Sequence, residues 1–347
     1  MIGPRTLYRI VLLGCYVGLI VCILSTEITY AQLIPNLGGQ RAGISAFQFL
    51  KIGVGARGVA LGETYTAIAN DVSALYWNPA GLTQFTENQF MVSHTEYIVD
   101  INHDFLGAVY HLTANDAVGF SVSTLSVDEM EITTEAQPFG TGRYFRFGDF
   151  SSGLTYSKRM TDQFSFGVTL RYVEETLDIL KMRGFMVDIG TFYWTGIGST
   201  RFAVVVTNFG ADVSPTGELI QYNGNRVNSF QSFSPPTLFK IGFALEALET
   251  ESQRVTTSIE LNHPNDNAEN IHMGVEYQWE KWLWLRTGVK RTIGESLLGR
   301  DNTSANDITF GVGIAAPLAL TKINLDYAFA NFNLLGSVHR LSLTLSY

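Results

Sequence analysis

The feature that most limits what this chain can fold into is a two-residue rhythm. From about residue 88 onward, large apolar side chains alternate with small or polar ones in runs of about ten residues. Phe164, Phe166, Val168, Leu170 and Tyr172 alternate with Ser165, Gly167, Thr169 and Arg171. Ile271, Met273, Val275, Tyr277 and Trp279 alternate with His272, Gly274, Glu276 and Gln278, and Leu341, Leu343, Leu345 and Tyr347 with Ser342, Thr344 and Ser346. Successive side chains of a strand point to opposite faces. Each run is therefore a ribbon with one bulky apolar face and one small or polar face, the pattern of a strand between lipid and a polar lumen.

About 14 such runs can be marked, near 89–99, 103–112, 116–126, 148–159, 163–174, 184–195, 200–208, 237–247, 253–262, 270–279, 282–291, 307–315, 320–330 and 338–347. The connections between them alternate. Tight turns at Thr113–Asp116, Met160–Gln163, Gly196–Ser199 and Glu280-Lys281 take turns with loops at 127–147, 175–183, 209–236 and 292–306. Outer-membrane barrels sort their connections this way, with periplasmic turns on one rim and external loops on the other. No mature proline falls inside a proposed strand, where a ladder donor would be lost. Trp194, Trp279, Trp282 and Trp284 flank turns assigned to the periplasmic rim and are expected to form an aromatic girdle there. Lipid offers no hydrogen-bond partners, so a sheet inside it must close on itself. The reading is an all-β, transmembrane, antiparallel β-barrel; the competing one is a secreted all-β protein.

Residues 1–31 read as a cleaved signal peptide. Arg5 and Arg9 precede the apolar stretch Ile10 to Leu24, and Thr29-Tyr30-Ala31 supplies the cleavage site. An uncleaved anchor is the alternative, although the stretch is shorter than the roughly 18 residues of a spanning helix. Leu12-Leu13-Gly14-Cys15 looks like a lipoprotein box but comes too early. Both cysteines, Cys15 and Cys22, lie in this segment, so the mature chain has no thiolate for a disulfide, metal site or nucleophile. The charged fraction is 16% and the net charge −9, without basic clusters, which gives no footing for nucleic acid. The expected location is the bacterial outer membrane, with outer-membrane lipid as its surroundings.

Between the signal and the strands, 32–87 reads as a hatch ahead of the barrel at 88–347. Ala46, Phe47, Leu50 and Val54 have helical spacing, glycines at 53, 55, 58 and 62 interrupt it, and Tyr65 to Trp77 predicts a second short helix with Asp71-Val72-Ser73 as a turn or cap. Short helices before a barrel this wide predict a plug in the lumen.

Two stretches carry a resemblance. Gly53-x-Gly55-Ala56-Arg57-Gly58-x-x-Leu61-Gly62, followed by Ala67-x-Ala69-Asn70-Asp71-x-Ser73-Ala74-x-Tyr76-Trp77-Asn78-Pro79-Ala80-Gly81-Leu82, resembles the N-terminal signature of the PorV/PorQ family, within the wider group of FadL-like barrels. Leu325-Asp326-Tyr327-Ala328-Phe329, Leu335-Gly336 and His339-Arg340-Leu341-Ser342-Leu343 resemble the family's ending. The resemblance implies a 14-stranded barrel with an N-terminal hatch. It implies one of two roles: a component of type IX secretion that engages the C-terminal signal domains of cargo, or a conduit for a hydrophobic small ligand. Asn70 departs from the family, where an acidic residue is commoner before Asp71. The terminal Tyr347 resembles the signal read by the barrel-assembly machinery.

The candidate site residues are the hatch motif Gly55, Arg57, Gly62, Asp71, Asn78, Pro79, Ala80 and Gly81, and the C-terminal motif Asp326, Tyr327, Gly336, His339 and Arg340. Asn78-Pro79 is either a working hatch element or a helix-stopping turn. Arg57 and Asp71 either pair or face lumen water separately. The glycines either line a path or allow close packing. The inward charges Arg171, Asp188, Glu246, Glu260, His272, Glu276, Arg286, Lys290, Asp326 and Arg340 form either a polar channel or, the preferred reading, a fixed network around the plug. Asp128, Glu129 and Glu131 read as a solvated acidic loop rather than a hydrolytic or calcium site. The six histidines lack metal-ligand spacing, and no catalytic constellation or cofactor motif appears.

Overall fold

The computed structural model describes residues 43–220, 224–293, 307–318, 321–332 and 335–347. The signal-peptide segment lies outside the described residues. Fourteen antiparallel strands close into a barrel in which every chain neighbour is also a ladder neighbour. They are β1 (Gln89–Glu96), β2 (Asn102–His111), β3 (Asp116–Ser126), β4 (Phe147–Arg159), β5 (Phe164–Leu177), β6 (Leu180–Trp194) and β7 (Arg201–Gly210). There follow β8 (Leu238–Glu249), β9 (Gln253–Pro264), β10 (Asn270–Trp279), β11 (Leu283–Thr292), β12 (Asp307–Leu318), β13 (Thr321–Asn331) and β14 (Ser337–Ser346). The seam between β14 and β1 runs from Gln89↔Ser346 to Glu96↔His339. Tyr347 adds one more exchange, its N–H and C=O both bonded to Asn88.

Period 2 does what the sequence requires. Leu154, Leu170, Phe185, Phe243, Leu285, Phe310 and Leu343 are exposed on the outer wall, where lipid meets them. Thr155, Thr169, Ser258, Thr309 and Ser342 are buried inside. Two register shifts interrupt the ladders, one of them between Val187 and Ile189 on β6. There the Asp188 carboxylate accepts from Asn208 N–H at 2.7 Å, so a side chain replaces the displaced ladder acceptor.

Two expectations need correction. The 175–183 loop is instead a hairpin: β5 and β6 pair up to Leu177↔Leu180. Above the membrane no apolar stripe is needed, so the strands continue where the apolar signal stops. The four-tryptophan girdle is also divided. Trp279 and Trp282 are outward and stack on each other with ring centroids 5.4 Å apart. Trp194 points inward, donating to Gln84 Oε1 at 2.9 Å, and Trp284 lies beside the inward guanidinium of Arg286.

The chain enters the lumen at the long-loop rim, where Ala46 N–H donates to Ser234 C=O, and leaves it at the short-turn rim before β1. On the way it forms a 3-10 turn (Gln48–Lys51), helix α1 (Ala56–Ala60), helix α2 (Ala74–Trp77) and a 3-10 segment (Pro79–Gln84). Only the end of the predicted Tyr65–Trp77 helix is helical. Earlier backbone groups are taken by other partners: Thr66 N–H by Glu260, Ala67 C=O by Arg201 and Val72 N–H by Gln89. The hatch apolar residues Val54, Leu61, Tyr65, Ile68, Val72, Leu75, Trp77 and Leu82 form the main core of the molecule.

Candidate functional site

The hatch fits because the wall opposite it lacks side chains. A Cβ on Gly288 would sit 2.0 Å from Leu61 C, and one on Gly167 would sit 2.3 Å from Pro79 C. Gly62 faces β11, where a Cβ would sit 2.7 Å from Val289 N, and has φ +67°, a left-handed turn that suits glycine. Its N–H donates to Thr309 Oγ1 at 2.9 Å. Gly62 thus allows a close approach of hatch and wall.

Asn78 links hatch to wall. Its Oδ1 accepts from Ala80 N–H at 3.0 Å and caps the 3-10 segment that Pro79 begins. Its Nδ2 donates to Thr66 C=O at 2.9 Å and to Thr191 C=O on β6 at 3.1 Å. Gly81 is held against Ala69, whose carbonyl a Cβ there would meet at 2.5 Å. The turn and the hatch element are one structure.

Below these contacts lies a clasp of charges. Arg57 on α1 reaches Glu276 on β10 with two parallel bonds, Nε–Oε2 at 2.8 Å and Nη2–Oε1 at 2.9 Å. Its Nη1 also donates to Asn70 Oδ1 at 2.7 Å and to Asp71 Oδ2 at 3.1 Å. Asp71 accepts the Tyr65 hydroxyl at 2.5 Å and, through Oδ1, Ser73 N–H at 2.9 Å. From Glu276 the lattice continues to Arg286 at 2.7 Å and on to Asp326 at 2.5 Å. The Arg286–Asp326 bridge passes over Gly313 of β12. Bidentate arginine–carboxylate pairs are the strongest of the side-chain hydrogen bonds. Asn70 fills its place as a neutral acceptor for Arg57.

The remaining inward charges are also engaged. Arg171 pairs with Asp188 at 2.7 Å, Arg201 with Glu246 at 2.8 Å and Lys290 with Glu63 at 2.5 Å. Glu260 holds Thr66, His272 approaches Asn262 Nδ2 at 3.2 Å, and Arg340 donates to Thr95 Oγ1 at 2.7 Å. The fixed-network alternative therefore describes the lumen. The hatch partners Glu63, Thr66 and Gln89 have no motif of their own in the sequence. The parity of the strands that face them is the one available signal.

The C-terminal motif is split by the wall. Asp326 and Arg340 face inward, whereas Tyr327 and His339 meet on the outside with hydroxyl and Nδ1 2.8 Å apart. Gly336, with φ +92°, lies in the β13–β14 connection. In the acidic loop, Glu129 pairs with Arg146 and Glu131 accepts from Gly142 N–H, so those two residues do not converge on a common site.

At the external end the hatch is held differently. Phe47, Phe49 and Leu50 pack with Leu125, Val173 and Met186. Gln48 and Lys51 donate to Asp266 in the β9–β10 loop at 2.8 and 2.9 Å. Burial pushes the Asp266 carboxyl up, but the bonds from Gln48 and Lys51 outweigh it and hold the group below its ordinary range.

Among the described residues, spaces open beside the hatch at both rims. The larger, about 390 Å³, opens at the short-turn rim among Arg57, Asp71, Arg254, Arg286, Lys322 and Asp326. The smaller, about 90 Å³, lies under the long-loop rim. Large apolar side chains are exposed on the loops and hairpins of that rim: Val99, Phe139 (99% exposed), Ile179 and Ile220.

Known proteins give this geometry a context. Among solved structures the chain is similar to the Pseudomonas putida toluene transporter TodX, with TM-score 0.57 and 15% identity over 85% of this chain and 97% of that one. The Ralstonia pickettii toluene transporter TbuX gives 0.56 and 12%, over 85% and 97%. A Pseudomonas aeruginosa FadL homologue gives 0.53 and 13%, over 85% and 98%. At such identities the likeness is one of fold alone. No curated protein matches the chain. The family model described as type IX secretion system protein PorV matches residues 37–265, which include the whole hatch signature. The chain belongs to the PorV family of type IX secretion system proteins.

Proposed function

We propose that this protein is an outer-membrane component of type IX secretion that engages the C-terminal signal domains of cargo with its external rim. One observation carries the reading: the lumen is filled by a hatch bonded to its wall, while the rim above exposes Val99, Phe139, Ile179 and Ile220. Exposed apolar groups gathered at one end of a molecule suit protein contact. Residues 1–31 serve as the removed export signal, 32–87 as the hatch and 88–347 as the barrel, with Tyr347 offered to the assembly machinery. Secretion components are the expected neighbours in the membrane.

The reading is tested by deleting the gene and following signal-bearing cargo. Export should stop, and a Phe139→Asp, Ile179→Asp double variant that still folds into the barrel should reproduce the defect. Normal export from the deletion strain would remove the proposal. Uptake or export of a hydrophobic small molecule is the second reading, and the likeness to toluene transporters supports it through fold. The charged lining of the larger space beside the hatch favours the first.

A further inference from the structure

Two carboxylates face each other inside the external rim, and no cation pairs with either among the described residues. Asp149 on β4 and Glu175 on β5 are direct ladder partners on the inner face, where such partners have Cβ atoms about 5 Å apart. Their rows stand above the hydrocarbon, because on the outer face the adjoining Glu174 is paired with Lys181 and Arg183. The neighbourhood is apolar. Leu125 is the other ladder partner of Asp149, Val173 precedes Glu175 on the same face, and both pack with Phe47 of the hatch. Phe47 N–H donates to Glu175 Oε2 at 2.9 Å. Asp149 is 6% exposed, and its Oδ1 is buried without a hydrogen bond among the described residues. The charged groups of the surrounding elements are engaged elsewhere. Arg171 of β5 pairs with Asp188, Lys51 of the hatch with Asp266, and His103 of β2 bonds to Ser123 of β3. Asp212, in the loop after β7, accepts from Ser234. Two carboxylates so placed repel, and the pair is best satisfied with one proton between them. The bond from Phe47 favours the charged form of Glu175, so the proton belongs to Asp149. There burial and the facing Glu175 push the carboxyl up to about 8.

We propose that Asp149 and Glu175 hold a single proton between them and so form a pH-sensitive latch on the external end of the hatch. With the proton in place the pair carries one negative charge, which Phe47 N–H meets. Loss of the proton leaves two charges in an apolar cluster. Hydration relieves them, and water reaches them only when the Phe47 end of the hatch parts from the wall. The Asp149 value is raised above its unfolded value near 4. Its contribution to closure is therefore full below about pH 4 and is lost as pH rises through about 8. Asp266 is held below the ordinary range, so it acts in the opposite sense and at lower pH. The latch goes beyond the secretion reading and does not depend on it, because it is measured on the purified barrel alone.

The test follows the opening of residues 45–51 in the folded barrel in detergent, by pulsed hydrogen exchange corrected for the intrinsic pH dependence of exchange. One linked proton raises the opening constant by up to about tenfold per pH unit above about pH 5, and the rise should level off above about pH 8. Asp149→Asn removes the second charge with little change of shape. Its profile should be flat over this range, and at about pH 9 it should open at least about tenfold less than the unaltered protein. A gain in protection cannot come from poor folding. Glu175→Gln removes the facing charge but not the burial, so the levelling-off should move to lower pH. Asp266→Asn should leave the slope in place. A flat profile in the unaltered protein overturns the proposal. So does an Asp149→Asn variant that keeps the slope or opens more readily at about pH 9, or a Glu175→Gln variant whose levelling-off has not moved.

Discussion

The lower end of the hatch is held by a connected lattice of charge, whereas its upper end is held by an apolar cluster and by separate tethers, Asp266 on Gln48 and Lys51 and Glu175 on Phe47 N–H. Below, Arg57, Glu276, Arg286 and Asp326 form a chain in which each member completes its neighbour. Above, Phe47, Phe49 and Leu50 settle among Leu125, Val173 and Met186, and Asp266 adds a tether. Apolar packing has no preferred direction and tolerates a change of volume. A buried lattice tolerates little, because removing one member strands the others. The lower end therefore fixes the position of the hatch, and the upper end can give way without losing it.

The largest expected effect breaks the clasp. Glu276→Gln leaves Arg57 and Arg286 sharing a neutral partner at a position 2% exposed, and should cost about 3 kcal/mol or more. Thermal unfolding of the barrel in detergent, with proteolysis of the hatch, reads this; a loss below about 1 kcal/mol would show that the two ends are held alike. Asn78→Ala removes a cap and two donors to backbone carbonyls, for an expected loss of about 1–2 kcal/mol by the same measurement. The smallest effect belongs to the upper tether. Because Asp266 is held below the usual carboxylate range, its contribution is fully present above the unfolded value, near pH 4, and fades as pH falls through the lower folded value. The opening free energy of residues 45–51, read by hydrogen exchange after correction for the intrinsic pH dependence of exchange, should fall with acid by at most about 1 kcal/mol, and Asp266→Asn should reduce that dependence, the remainder belonging to Glu175, which accepts Phe47 N–H. An acid response of equal size at residues 54–60 would erase the contrast between the ends.

Much of the barrel could be read directly from alternation. The expected strand at 270–279 is β10 as found, and 116–126 is β3. The Trp194 and Trp284 assignments failed although their parity was available: Trp284 shares a face with Arg286, and Trp194 is opposite in phase to Tyr193. Proximity to a turn does not set the face of a strand residue; its phase does. The Arg57–Asp71 pair, one of the two arrangements the sequence allows, forms. Its stronger partner, Glu276, is legible in the sequence as an inward charge but not as a partner of Arg57. The contact spans 219 positions, and no local pattern encodes the rotation of a hatch inside a barrel. Glu63 with Lys290, and Gln48 with Asp266, escaped for the same reason.

The side-chain-free patches of the wall have a consequence for how such a protein can change. Gly288 accommodates Leu61 and Gly62, Gly167 accommodates Pro79, and Gly190 accommodates Asn78, each at distances no added carbon would permit. Wall and filling thus stand to each other as mould and cast. A larger residue on one surface requires a recess in the other, so variation at these positions must come in matched pairs, while the lipid-facing positions beside them remain free to drift singly.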